Sequence, residues 1–134
     1  MHRKINPKAI VFAGDKIKLT GFENVSVDEA HDKTKTRTLA GSNEDQNFIA
    51  PELLADASDG KYTNKVDVFG AGMVMVYMAT AVDFYVANPE GDWDRNYGME
   101  NFESKFENEP KVKELIEQCL PEEREERASG ESLA

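Results

Sequence analysis

Apolar and polar positions change their spacing several times along the chain. Residues 9–12 form a short apolar run, Gly14 and Asp15 supply turn chemistry, and Lys16, Ile17, Lys18 and Leu19 alternate polar with apolar. That period of two predicts a β-hairpin. Residues 23–47 are polar, rich in Ser, Thr, Asn and Asp, and follow neither period, so a long irregular loop is expected there. From Pro51 the spacing becomes helical. Residues 51–54 make a short helical start, and residues 65–78 are apolar on nearly every side except at Asp67, the pattern of a buried helix. Val112, Leu115, Ile116, Cys119 and Leu120 then fall at i, i+3, i+4, i+7 and i+8, one stripe of an amphipathic helix whose other face carries Lys111, Lys113, Glu114 and Glu117. The predicted class is mostly α, an α+β unit with a small hairpin near the N-terminus.

Composition narrows the function classes. The chain has 134 residues, 40% of them hydrophobic, and 26 Asp+Glu against 16 Lys+Arg give a net charge of -10. One domain with a workable core is expected. The acidity argues against nucleic acid, whose phosphates need clustered Lys and Arg, and against anionic membrane surfaces. Residues 1–50 carry a net +1 and residues 51–134 a net -11, with no linker between them. A single cysteine, Cys119, leaves no internal disulfide, and His2 and His31 alone give no zinc-ligand spacing. Cys119 lies on the inner stripe of its helix and reads as a small buried hydrophobe. These features point to a reducing intracellular compartment, the cytoplasm. No signal-peptide core follows His2, Arg3 and Lys4, and the uncharged apolar run 68–79 falls short of the roughly 20 residues that cross a bilayer.

Six short motifs carry more than the composition does. In order they are His2-Arg3-Lys4, Leu19-Thr20-Gly21-Phe22-Glu23, Gly41-Ser42, Phe48-Ile49-Ala50-Pro51-Glu52, the run from Lys65 through Asp67 to Gly72, and Arg127-Ala128-Ser129. Their order and spacing resemble the C-terminal lobe of a protein kinase: the HRD catalytic loop, the DFG motif across a hairpin, the APE motif, the buried helix and a late RPS. The resemblance implies a partial kinase-like domain over residues 1–134, from the catalytic-loop region to the start of the last helix. It also implies an activation-segment-like loop over residues 23–49 and an absent N-terminal lobe, because no glycine loop or strand lysine precedes His2.

Position by position, the resemblance implies lost chemistry. The family's catalytic base falls at Lys4, which can only donate, and its phosphate lysine falls at Asn6. Its two metal ligands fall at Ala9 and Gly21. Structural positions are kept: His2 and Phe22 match the internal hydrophobic spine, Asp67 matches the aspartate that ties down the catalytic-loop backbone, and Glu52 with Arg127 matches the ion pair that fastens the activation segment. Arg3 matches the arginine that pairs with a phosphorylated segment, and Thr34, Thr36 and Thr38 are candidate phosphosites for it. Residues 44–46 look like an insertion. Gly70-Ala71-Gly72 lacks the third glycine of a phosphate loop and reads as helix packing.

A second motif competes. Asp92, Asp94, Asn96 and Glu103 resemble calcium ligands of an EF-hand loop over residues 92–103, although Tyr97 stands where the loop needs glycine and Arg95 adds a positive charge. An acidic loop leading into a helix is the simpler reading. Trp93 and Tyr97 flank that loop as candidate partner anchors or packing residues. Asn24-Val25-Ser26 is a chance glycosylation sequon in an intracellular chain.

The expected function is a catalytically inactive, pseudokinase-like domain that acts as a protein-binding scaffold or allosteric partner and needs no cofactor. One alternative is a divergent ATP- and magnesium-dependent protein kinase whose nucleotide-binding lobe lies outside this chain, with Glu23 or Asp28 as unconventional ligands. A second is calcium binding at residues 92–103. The element that precedes the catalytic loop in kinases is missing, so Val68, Val74 and their neighbours are expected to expose apolar surface to another protein or to the N-terminal lobe.

Overall fold

The structure, a computed structural model, describes residues 1–25, 30–32, 46–54 and 61–133. Asn6 shapes the entry to the hairpin. Its Oδ1 accepts from the amides of Lys8 at 2.8 Å and Ala9 at 3.1 Å, capping the one-turn 3-10 helix Pro7–Ala9, where proline at the first position has no amide to satisfy. Strands β1 (Ile10–Ala13) and β2 (Lys16–Leu19) follow, antiparallel, with Ile10 opposite Leu19 and Phe12 opposite Ile17. The turn falls at Gly14 and Asp15, as the alternation predicts. A second antiparallel pair joins β3 (Ala30–Asp32) to β4 (Lys61–Thr63), with His31 opposite Tyr62. Among the described residues, three longer helices follow: α1 (Lys65–Ala87), α2 (Arg95–Lys105) and α3 (Pro110–Cys119). The architecture is mostly α with a small β part.

Helix α1 is the centre, and α2 and α3 pack against it. Met73, Val76 and Phe84 are buried with Trp93 and Phe102 from the α2 side, Ile116 and Leu120 from the α3 side, and Phe48, Ile49 and Leu53 from the segment before the 3-10 turn Pro51–Leu53 and from that turn itself. Each such side chain contributes roughly 1.5–3 kcal/mol of transfer free energy. The α1–α3 contact depends on Gly72, because a Cβ there would stand 2.6 Å from Cys119 Cβ and 2.9 Å from Leu120 Cδ2. The stripe predicted for α3 faces inward at Ile116, Cys119 and Leu120.

Four expectations are corrected. The irregular loop expected over residues 23–47 contains a strand, β3, too short and polar for its alternation to register. Helix α1 runs to Ala87 rather than residue 78, since Ala81, Val82, Phe84, Tyr85 and Val86 carry the apolar pattern past Asp83. It ends where Asn88 folds back on Phe84 O just before Pro89. At this length α1 is long and apolar enough to cross a membrane by composition alone, although 56% of its apolar 18-residue stretch is buried in the protein. Val68 and Val74 are buried; the large apolar side chains exposed on α1 are Met78, Val82, Tyr85 and Val86, one to three turns later.

Candidate functional site

The first turn of α1 grips the N-terminal segment. Asp67 accepts from the backbone amides of His2 at Oδ2 and Arg3 at Oδ1, both at 2.6 Å, one carboxylate holding two consecutive amides. Arg3 takes φ 68°, a conformation uncommon outside glycine, and this clamp holds it there. His2 is buried; its Nε2 donates to Thr20 O at 2.7 Å, and its Nδ1 accepts from the Lys4 amide at 3.3 Å. The imidazole meets the Phe22 ring edge-on with centroids 5.2 Å apart. The sequence positions His2, Phe22 and Asp67 are therefore brought together, 65 residues apart at the widest.

The four positions that the resemblance to a kinase assigns to its chemistry, Lys4, Asn6, Ala9 and Gly21, flank the hairpin on either side. Asn6 is buried and spends its oxygen on the cap of Pro7–Ala9, while its Nδ2 donates to Lys4 O at 3.3 Å. Ala9 is buried, and its carbonyl accepts the Thr20 amide at 2.8 Å where the chain leaves the hairpin. Gly21 sits at φ 76°, in the left-handed region that disfavours an L side chain. A Cβ there would stand 3.7 Å from Glu23 Oε2 and 3.9 Å from His2 Cε1. As a donor set for a magnesium nucleotide these residues do not fit: Lys4 is cationic, Ala9 and Gly21 offer no side-chain oxygen, and the oxygen of Asn6 is committed. Glu23 is the nearest carboxylate. Among the described residues, no cluster of three or more His, Cys, Asp or Glu side chains is placed to hold a metal.

Glu52 and Arg127 form the second brace. Arg127 Nη1 donates to Glu52 Oε1 at 2.7 Å and Nη2 to Glu52 Oε2 at 3.2 Å, a bidentate pair with Arg127 only 1% exposed. The same guanidinium donates to the carbonyls of Pro121, Glu122 and Lys65 and lies 4.9 Å from the Phe69 ring centroid. A segment before α1, the start of α1 and the segment after α3 are thereby fixed to one side chain.

Sequence reasoning missed a third brace. Arg95, also stacked on Phe69 at 5.0 Å, donates to the carbonyls of Gln46 at 2.9 Å, Asn47 at 3.0 Å and Ile49 at 2.7 Å. Asn47 returns the contact, accepting the Arg95 amide at 3.1 Å and donating to Trp93 O at 3.0 Å. Burial lowers the Arg95 pKa from its ordinary value, partly offset by Glu122. Trp93 is buried rather than presented to a partner. Its indole N–H donates to Thr80 Oγ1 at 3.0 Å, and its ring stacks on Phe48 with centroids 5.7 Å apart. Tyr97 is half-buried, edge-on to Phe84. A cleft of about 210 Å³ opens between Pro7 and Lys8 on one side and Phe48, Tyr77, Tyr85 and Trp93 on the other.

The calcium candidates are not brought together. Helix α2 occupies most of residues 92–103, Asp94 caps it by accepting the Tyr97 amide at 2.9 Å, and Glu103 points to Lys113 at 3.3 Å. Asp92 and Asn96 are exposed. A helix spreads those side chains around its axis, whereas a calcium loop must wrap them about one point. Asp28, Thr34, Thr36, Thr38 and the sequon serine lie outside the described residues.

No curated protein matches the chain. The family model of the protein kinase domain matches it over residues 1–134. With a match of that extent, this chain belongs to the protein kinase domain family.

Proposed function

We propose that this chain is the C-terminal-lobe part of a kinase-like domain that no longer transfers phosphate and works by binding other proteins as a scaffold or allosteric partner. The observation that carries the reading is the occupancy of the four chemical positions. Lys4, Asn6, Ala9 and Gly21 provide neither a proton acceptor nor a metal ligand, and two of them serve the hairpin entry instead. Phosphoryl transfer is almost entirely positioning and charge neutralisation, so losing these groups removes most of what catalysis would rest on. The braces at Asp67 and at Glu52–Arg127 need no nucleotide to hold the lobe's shape. An intracellular, cytoplasmic setting and a partner that covers exposed apolar surface, another protein or an N-terminal lobe, complete the proposal.

Phosphate transfer to a generic protein substrate with magnesium or manganese tests it. No incorporation above a heat-treated control is expected. One observation favours a second reading as a divergent kinase: the carboxylate of Glu23 stands 3.7 Å from where a side chain at position 21 would begin. Metal-dependent turnover that disappears in Glu23→Ala would establish that reading and overturn the first.

A further inference from the structure

Residues 46–49 lie against the turn that opens α2, and among the described residues five hydrogen bonds hold them there. Arg95 makes four of them: its amide donates to Asn47 Oδ1 at 3.1 Å, its Nε to Asn47 O at 3.0 Å, and its Nη2 to Gln46 O at 2.9 Å and Ile49 O at 2.7 Å. Asn47 makes the fifth, donating to Trp93 O at 3.0 Å. Most of this polar hold passes through one residue. The next brace along the chain has a different chemistry. At residue 52, Arg127 meets a full carboxylate in a bidentate pair, among the strongest of such contacts. The Arg95 guanidinium meets backbone carbonyls instead, and burial disfavours its charge, with Glu122 attracting it through space. Of the two ends, the one at Arg95 is the easier to release.

What this stretch covers is aromatic. Phe48 stacks on Trp93, the ring planes 15° apart, and Tyr77 meets Phe48 edge-on at 5.8 Å and Trp93 at 5.1 Å. Trp93 is anchored from elsewhere: its N–H is held by Thr80 of α1, and its ring packs so closely on Gly98 of α2 that a Cβ there would clash. Trp93 therefore belongs to the helical body, and Phe48 to the stretch laid over it. All three rings also line the cleft of about 210 Å³.

We propose that residues 46–49 are a hinged strap: when Arg95 releases the carbonyls of Gln46, Asn47 and Ile49, the strap opens about the Glu52–Arg127 pair, lifts Phe48 off Trp93 and widens the cleft down to the Trp93 and Tyr77 rings. The opening is sub-global, since α1 and α3 keep their contact through Gly72 while the strap is released. Arg95 is its latch and acts by positioning the strap. The inference goes beyond the proposed function and holds whether or not the chain transfers phosphate.

Amide hydrogen exchange on the full 134-residue chain tests it, and fluorescence adds a second probe because Trp93 is the single tryptophan. In the unaltered chain, urea below the unfolding transition is expected to speed exchange at the Ile49 amide, which donates to Gln46 O at 3.3 Å, and to raise acrylamide quenching of Trp93. The Ile116 amide, inside α3, should respond only when the whole chain unfolds. Arg95→Met removes the latch's side-chain donors. It is expected to speed Ile49 exchange at least about tenfold in water and to shift Trp93 emission to the red, with Ile116 unchanged. Arg95→Lys, which restores the charge without the guanidinium's fork, should fall between the two. If Ile49, Trp93 and Ile116 respond together at every urea concentration, these residues are part of one cooperative core and the strap is overturned. Unchanged Ile49 exchange and Trp93 quenching in Arg95→Met would overturn it equally. If Arg95→Met fails to fold, the urea series on the unaltered chain decides alone.

Discussion

Replacing Arg127 by Met removes the most heavily hydrogen-bonded side chain among the described residues. Glu52, itself 9% exposed, would keep its carboxylate with no cation to meet it, and the carbonyls of Lys65, Pro121 and Glu122 would lose a donor. Breaking a buried pair from one side costs about 3–5 kcal/mol, and the carbonyls place Arg127→Met at the upper end of that range. Glu52→Met is expected to cost less, about 2–3 kcal/mol, because Arg127 keeps its three carbonyl partners and the Phe69 face. In the double variant the stranded carboxylate is gone, so it should be more stable than Arg127→Met alone. Urea unfolding of all four proteins measures this. With a slope of roughly 2 kcal/mol per molar urea, the Arg127→Met midpoint should fall by about 2 M. An Arg127→Met cost below about 1 kcal/mol, or a double variant that loses the sum of the two single losses, would refute the account. If Arg127→Met does not fold at all, recovery of folding in the double variant carries the same information.

Gly72→Ala should lower the melting temperature despite alanine's higher helix propensity, because the overpacking cost of about 1–3 kcal/mol against Cys119 and Leu120 exceeds a gain of about 1 kcal/mol. Cys119 is held above its usual pKa by burial, partly offset by Arg127. Below the unfolded thiol's value of about 8.5 both states are protonated and the contribution is full; above it the unfolded chain loses its proton first, so stability falls with pH until the folded thiol titrates. Urea unfolding should therefore show a steeper loss above that pH in the unaltered chain than in Cys119→Ala. Asp67→Asn leaves one acceptor for two amides, and amide hydrogen exchange should show His2 or Arg3 losing protection while α3 keeps it.

The elements that were legible in the sequence are those whose period outlasts a few residues. The hairpin alternates around Gly14 and Asp15, and the α3 stripe repeats over nine positions, so each is specified locally. The β3–β4 pair is not, since Ala30–Asp32 and Lys61–Thr63 are three residues each and their pairing depends on chain far apart in sequence. Helix α1 was legible as buried but not in extent, because Asp83 interrupts an apolar run whose helical continuation shows only in Phe84, Tyr85 and Val86. The apolar-all-round pattern also could not say which face would go uncovered. That depends on where α2 and α3 dock, and they cover the side of Val76 and Phe84 and leave Met78 and Val82 in water.

The candidate site divides the same way, and Arg95 marks the boundary. Glu52 and Arg127 lie 75 residues apart and meet, but nothing in their local spacing says so; their pairing was visible only because both stand at motif positions of a known family. Arg95 stands at no motif. In the sequence it looks like a misplaced cation inside an acidic, calcium-like loop. In the structure that cation organises the region: it turns inward over Phe69 and closes the carbonyls of residues 46, 47 and 49. Orphan carbonyls at a buried bend are costly, and a guanidinium's fan of donors can satisfy several at once. The surrounding acids then need no ion to explain them, since Asp94 is consumed as the α2 cap and Asp83 and Glu103 face Lys105 and Lys113. A charge that spoils one motif is better read as a clue to another contact, and here the contact lies almost fifty residues upstream.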